Sequence, residues 1–387
     1  MSMMGSEKEG NGALMVERAL KWSELQGHIL SGGGTAEALY TEARGYPFSS
    51  DELPHHHLIN GTTSTAFQAW SVQASAAKSA TAEWMAGAWH RKIFAGGGMQ
   101  TTDADETCLN LITPHGPFID IRIPNACGRL LGDRSWDEVA AAVEAGQSER
   151  PLASLTDLEV RLLSRQHAFG GVGVLSRYDD PPSPDDGCEA VCTRHHAIDW
   201  NFVGALRPRP NKWRVKPTNR DDWEELAYAD DEQGQPYYYE RWVRAAGGGA
   251  QPSLALRAVQ PSLSGSPSRD ALLLVVGGYF SYVVARPIEH SALSSYGKAL
   301  FAVVDEAILR GDRHIAEQCL LQESGYGRVG GEWTIEASLQ PWRIGKPLGS
   351  VFGGGSMGGL EAAVASALTP PGKVEQVVVG KQAFEVI

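Results

Sequence analysis

The sequence predicts a mainly β protein with helical additions, assembled from antiparallel barrels or sandwiches. Three observations carry that reading. Glycine and proline, 44 and 21 of 387 residues, make up about a sixth of the chain without any G-X-Y period, and so many turns suit short strands better than a helical bundle. Short β-prone runs such as Thr107 to Thr113 and Phe118 to Ile123 lie between Gly, Pro and Asp. Strands and helices do not alternate regularly, as a parallel sheet would require.

Residues 1–62 read as a helical, partly disordered front segment. Leu14, Ala19, Trp22, Leu25 and Ile29 recur at helical spacing, and Thr35 can cap a second short helix that runs to Arg44. A first barrel is expected over 63–170, with strands at Phe67 to Gln73, Glu83 to Phe94, Thr107 to Thr113 and Phe118 to Ile123. It carries a helical insertion, because Ser135 and Glu138 have capping-box spacing ahead of Val139 to Ala145. A second helix starts near Thr156, runs through Leu158, Leu162 and Leu163, and stops at Gly170-Gly171. A second barrel is expected over 171–346, from strands at Gly171 to Tyr178, Ala190 to Val203, Tyr237 to Val243, Leu254 to Val259 and Ala271 to Arg286. Asp179 to Asp186 and Arg207 to Pro217 read as loops. A long helix, Tyr296 to Arg310, presents Leu300, Phe301, Val304, Ala307 and Ile308 on one face, with Gly311 as its C-cap. A hairpin pairs Glu317 to Tyr326 with Trp333 to Leu339. The tail, 347–387, is glycine-rich before a β-like Lys373 to Val379.

Charge and length exclude several function classes. Lys plus Arg number 34 against 46 Asp plus Glu, a net charge of −12, which disfavours a nucleic-acid partner because phosphate binding relies on a basic field. The longest apolar stretches, such as Ala271 to Val276, are far short of the ~20 residues a membrane helix needs. Five scattered cysteines, Cys108, Cys127, Cys188, Cys192 and Cys319, suit a reducing compartment. The start, MSMMGSEKEGNG, has neither the basic residues nor the apolar run of a secretory signal, so a cytoplasmic location is expected.

The densest chemical signal is Phe118-Ile-Asp120-Ile-Arg122-Ile-Pro124. Alternation puts Phe118, Asp120 and Arg122 on one face and the three isoleucines on the other. With the isoleucines inside, the charges are solvated neighbours of little energetic weight. With the isoleucines packed outward, Asp120 and Arg122 line a lumen and can fix a polar ligand. In Arg194-His-His196-Ala-Ile-Asp199-Trp200, strict alternation groups His195 with Asp199, and Arg194 and His196 with Trp200. Histidine beside carboxylate suits proton transfer near neutral pH, though structural networks use the same residues. Tyr238, Glu240 and Trp242 share one strand face, as do Tyr282 and Arg286 on another. With Arg91 beside Trp89, these could sandwich a planar ligand or serve as plain core. No metal is expected: His55-His-His57 has no second ligand motif, and Cys188-x3-Cys192 lies off the usual CxxC spacing. Gly353 to Gly358 formally fits GxGxxG but stands too near the C-terminus for successive βαβ units, and no cofactor is expected.

The order FIDIRIP, helical insertion, Phe169-Gly-Gly171, Arg194-His-His-Ala-Ile-Asp199-Trp200, Tyr239-Glu-Arg-Trp242, Gly277-Gly-Tyr-Phe-Ser-Tyr282, Trp333 and Pro341-Trp342 resembles a group of lipocalin-like double-barrel proteins that includes a fungal casein-kinase-interacting protein. The resemblance covers about Trp89 to Trp342. It implies two antiparallel lipocalin-like β-barrels and brings no established activity. The expected function is binding of a small, largely apolar or aromatic molecule in a barrel cavity by Arg91, Phe118, Arg122, Arg194, Trp200, Tyr238, Glu240, Trp242, Tyr282 and Arg286. The alternative is a cofactor-independent isomerase, lyase or hydratase in which His196 or His195 moves a proton, Asp199 or Asp120 orients it or acts as base, and Arg122 or Arg194 stabilises negative charge. A third reading is an acidic interaction protein that binds a partner through its helical front segment.

Overall fold

The computed structural model describes residues 82–96, 99–124, 138, 141, 152–177, 187–203, 211–228, 236–258, 270–286, 299–367 and 376–387. The expected front helices, the strand at Phe67 to Gln73 and nearly all of the Ser135 insertion lie outside them.

A short helix α1 (Ala82–Met85) leads into β1 (Gly87–Gly96). There follow β2 (Met99–Thr102), β3 (Glu106–Ile112), β4 (Pro117–Pro124), helix α2 (Asp157–Leu163), β5 (His167–Arg177), β6 (Ala190–Asp199), β7 (Asn211–Asn219), β8 (Asp222–Ala227) and β9 (Tyr238–Arg244). These strands form one antiparallel sheet that closes on itself, because β9 pairs with β1. β2 and β3 follow one another along the same edge of β1, so the closed barrel has eight strands, with β2 as an extension. The division expected at residue 170 falls inside β5, and β5 to β9 complete the first barrel rather than open a second. Arg207 to Pro217, read as a loop, contributes β7, and β7 and β8 form a hairpin closed near Asn219 and Asp222.

The second sheet comprises β10 (Ser253–Ala258), β11 (Ala271–Val276), β12 (Tyr279–Val284), β13 (Glu323–Arg328), β14 (Ile335–Ser338), β15 (Gln376–Val379) and β16 (Gln382–Val386). Its order is β14-β13-β12-β11-β10-β16-β15, antiparallel throughout. Among the described residues its outer strands β14 and β15 do not pair with each other, so this unit is a seven-stranded sheet rather than a closed second barrel. The single run expected over Ala271 to Arg286 is a hairpin whose turn is Gly277-Gly278. Gly277 has φ +58, and a Cβ there would meet the Gly247 and Gly249 carbonyl oxygens at 2.6 Å, so glycine is required.

Helices α3 (Leu300–Arg310) and α4 (Arg313–Cys319) lie between β12 and β13 in sequence, and α5 (Gly358–Ala367) precedes β15. α3 buries Leu300, Val303, Val304 and Ala307, an i, i+3, i+4, i+7 stripe, and stops where Gly311 turns left-handed at φ 78. α2 opens on a full capping box, with Thr156 Oγ1 accepting from Glu159 N and Glu159 Oε2 accepting from Thr156 N.

Strand alternation sorts side chains into three cores. Leu109, Leu111, Ile119 and Ile121 point out of the barrel and meet Leu272, Leu274, Val276 and Val283 of the second sheet, with α2, α3 and α4 packed on the same cluster. This aliphatic seam joins the two sheets, and each fully buried Leu or Ile in it contributes about 1.5–3 kcal/mol. The other face of the second sheet, with Leu273, Val275, Phe280, Tyr282 and Phe384, is covered by Phe352 and by Leu360, Ala363 and Val364 of α5. The third core lines the inside of the barrel.

Candidate functional site: the barrel lumen

The isoleucines of β4 face the seam, so Phe118, Asp120 and Arg122 point into the barrel, and Asp120 and Arg122 are almost fully buried there. An eight-stranded barrel encloses just enough space for its own side chains or one small ligand. Here the lumen has an aromatic layer and a charged layer.

Trp213, Trp223 and Trp242 stack in sequence from β7, β8 and β9, with ring centroids 5.4 Å and 5.6 Å apart and planes within 14° and 11°. Trp89 meets Trp223 edge-on at 5.9 Å, while Phe118 and Phe169 meet edge-on at 6.1 Å. Aromatic contacts of these kinds contribute about 0.5–1.5 kcal/mol beyond the area they bury.

Against these rings runs a chain of six alternating charges. Glu106 pairs with Arg91, and Arg91 Nη1 donates to Glu240 Oε1 at 2.8 Å. Glu240 also accepts from Arg122 Nη1 at 2.8 Å, and Arg122 grips Asp120 through Nε at 3.0 Å and Nη2 at 2.9 Å. Arg194 Nη1 reaches Asp120 Oδ2 at 3.3 Å. Three guanidiniums thus meet three carboxylates. Arg122 also lies 5.6 Å from the ring centroids of both Phe169 and Trp242, and Arg194 lies over Phe118 at 4.2 Å and Trp213 at 5.2 Å.

Burial alone acts to raise the Asp120 carboxyl and lower the guanidiniums. The Arg122 contacts outweigh it for Asp120, which is held below the usual carboxylate range, with Arg194 and Arg91 adding to the effect. Arg91 and Arg122 are pushed up by their carboxylates in spite of burial. Burial pushes the Cys108 thiol, 3.9 Å from Asp120 Oδ1, well up, and Cys192 up to about 12, so neither is a thiolate at neutral pH.

The histidine cluster differs from the strict-alternation reading. β6 carries a bulge: Gly170 pairs with Ile198 and Gly171 with His196, which leaves Ala197 unmatched. The extra residue turns Asp199 to the side of His196, and His196 Nδ1 lies 2.6 Å from Asp199 Oδ2. Asp199 Oδ1 accepts from the backbone N–H groups of Asn201 and Phe202, His196 stacks on Phe169 at 4.3 Å, and its Nε2 meets Asn211 Nδ2 at 3.3 Å. His195, expected beside Asp199, sits opposite Val172, whose side chain belongs to the seam. Gly171 permits the bulge, since a Cβ there would collide with the His195 carbonyl oxygen.

Three expected ligand residues lie elsewhere. Trp200 belongs to the seam. Arg286 stands 5.8 Å over its ring and donates to the carbonyl oxygens of Asp199, Trp200, Phe202 and Cys319, clamping the end of β6 to α4. Burial, only partly offset by Cys319 and Asp199, pushes its guanidinium down to about 10, which leaves it protonated at neutral pH. Tyr282 points into the α5-covered face of the second sheet, 6.2 Å from Phe352. Tyr238 does line the lumen, where its hydroxyl donates to Glu225 Oε1 at 2.8 Å.

Sequence reasoning missed Glu106, Asn110, Trp213, Trp223 and Glu225. The signal was present in the alternation Glu106-x-Cys108-x-Asn110-x-Ile112 and in Trp213 and Trp223 flanking the Asn219 turn. Asn110 is fully buried opposite Trp89 and Asp120. Among the described residues, both its amide atoms and the indole N–H groups of Trp223 and Trp242 have no hydrogen-bond partner. Each buried group left so costs about 1–3 kcal/mol.

No cluster of three or more His, Cys, Asp or Glu able to hold a metal occurs among the described residues, and no described helix is long and apolar enough to cross a membrane. His55 to His57 lie outside the described residues.

Fold and lumen together define an eight-stranded antiparallel β-barrel protein with a second β-sheet. No family model and no curated protein matches the chain. Among solved structures it is similar to an uncharacterized protein of Saccharomyces cerevisiae, YLR301w, at 11% identity over 78% of this chain and 97% of that one, with a TM-score of 0.38.

Proposed function

We propose that the barrel binds one small, largely aromatic molecule against the stacked tryptophans. The observation that carries this reading is the set of buried polar groups without partners among the described residues, Asn110, Trp223 Nε1 and Trp242 Nε1, beside a flat aromatic wall. Binding sites combine apolar walls with a few placed polar groups in this way, and unpaired polar groups in a core are what a bound molecule would satisfy. The paired charges beside the wall set each of the three arginines against a carboxylate. Native mass spectrometry of the purified full chain, together with titration of a hydrophobic fluorophore followed by tryptophan quenching, tests it. A retained molecule or saturable one-to-one quenching is expected; neither retention nor quenching rejects the reading.

The His196–Asp199 contact favours a second reading, a cofactor-independent enzyme of the isomerase, lyase or hydratase kind, in which Asp199 holds the imidazole tautomer and His196 carries a proton through Nε2. Asn211 already meets that nitrogen, which suits an orienting role better. Any turnover detected should fall by about a hundredfold or more in His196→Ala; unchanged turnover removes His196 from the chemistry.

A further inference from the structure

We infer that the ligand is an uncharged flat heterocycle with a cis-amide edge, such as a lactam, and that Asn110 reads that edge. The inference rests on the lumen-binding reading above and names its chemistry. Asn110 offers one acceptor and two donors on a planar group, and a side-chain amide pairs two-point with a cis-amide, whose N–H and C=O stand side by side. A hydrocarbon cannot answer it, and a carboxylate can only accept. Trp223 and Trp242 contribute indole N–H groups, which are donors only, so they call for further acceptor atoms on the same molecule. Trp89 ties the pieces together: it sits opposite Asn110 in the β1–β3 ladder and edge-on to Trp223, which stacks on Trp242. Trp89 Nε1 is itself bonded to the Met85 carbonyl, 2.8 Å away. Among the described residues, the unanswered groups on this wall are therefore Asn110 and the two stacked indoles, while Arg194 Nε on β6 also has no partner.

Charge sets the remaining requirement. Arg91, Arg122 and Arg194 each contact a carboxylate within the lumen. An anionic ligand would add unmatched negative charge to a lumen whose three guanidiniums are already balanced by Glu106, Glu240 and Asp120, and a cationic one would face guanidiniums already in place. A neutral molecule demands neither rearrangement.

Four probes of matched size separate the possibilities on the full chain by calorimetric titration: 2-quinolone, its N-methyl derivative, naphthalene and 2-naphthoate. The expected order has 2-quinolone tightest, with about a tenfold loss on N-methylation, the scale of one net hydrogen bond. Naphthalene and 2-naphthoate should be weaker still. Naphthalene binding as tightly as 2-quinolone, or N-methylation without effect, overturns the amide assignment and leaves the lumen-binding reading standing; 2-naphthoate binding tightest overturns neutrality. Failure of all four to bind counts against both the inference and the reading beneath it. In Asn110→Leu, 2-quinolone should lose its advantage over naphthalene, and an advantage kept by that variant also overturns the assignment. Should the variant not fold, the wild-type series decides alone.

Discussion

Glu240 holds two guanidiniums at once, Arg91 and Arg122, from a side chain with no solvent exposure. Its replacement by Gln leaves those cations partly unanswered where water cannot reach, a loss on the order of 3–5 kcal/mol for a broken buried pair; urea denaturation should show the midpoint fall accordingly. The exposed Lys92–Asp103 pair makes the control, and Asp103→Asn should stay close to wild type. Asp120 predicts a pH dependence. Its carboxyl is held below the unfolded value of about 3.9, so its contribution is fully present above that pH and drains away as pH falls through the lower folded value. Denaturation curves taken from pH 5 downward should show stability dropping below about pH 4, with a shallower drop in Asp120→Asn. At this scale the sequence was informative where partners are near. Asp120 and Arg122 sit two apart on one strand, so their shared face was readable. Glu106 and Glu240 were harder to pair with Arg91 because they stand 15 and 149 residues away, Glu106 on the neighbouring strand β3 and Glu240 on β9, which only closure of the barrel brings to β1.

The β6 bulge shows why period-two reasoning failed at one site and succeeded elsewhere. Strict alternation assigns Asp199 to the face of His195, and a single unmatched residue, Ala197, reverses the assignment. The signal lay on the neighbouring strand, in a glycine whose missing Cβ admits a carbonyl. Gly171→Ala should force the bulge out of register, lowering thermal stability and shifting the His196 ring resonances by NMR as the Asp199 contact lengthens; an unchanged His196 spectrum would refute the link. Helix signals were more transparent because they are local. The helix start at Thr156 and the Gly311 stop both occur as the sequence implied, and Thr156→Ala, which removes the capping-box acceptor, should cost about 1 kcal/mol in chemical denaturation. The β7–β8 hairpin was hidden by Pro217 and by charges around it, although Trp213 and Trp223 supply two of the three stacked tryptophans.

Across the whole molecule, the mainly β character and the sharing of one face by Phe118, Asp120 and Arg122 were legible from turn composition and alternation, whereas the sequence leaves open which face turns inward, and only the packing of the β4 isoleucines into the seam decides it. The allocation of strands to two sheets was not, because β5 to β9 resemble β10 to β13 in pattern and only pairing with β1 assigns them to the barrel. Hydrogen exchange should find the β4 and β11 amides opening together, with one global free energy, since their outward side chains share the seam. Separate opening energies for the two sheets would contradict that coupling. The same seam limits what can become of this architecture by descent. A gene split between β9 and β10 would yield two polypeptides, each wearing a greasy flank that invites clumping, so recombination has no clean joint to cut and the pair must be inherited as one.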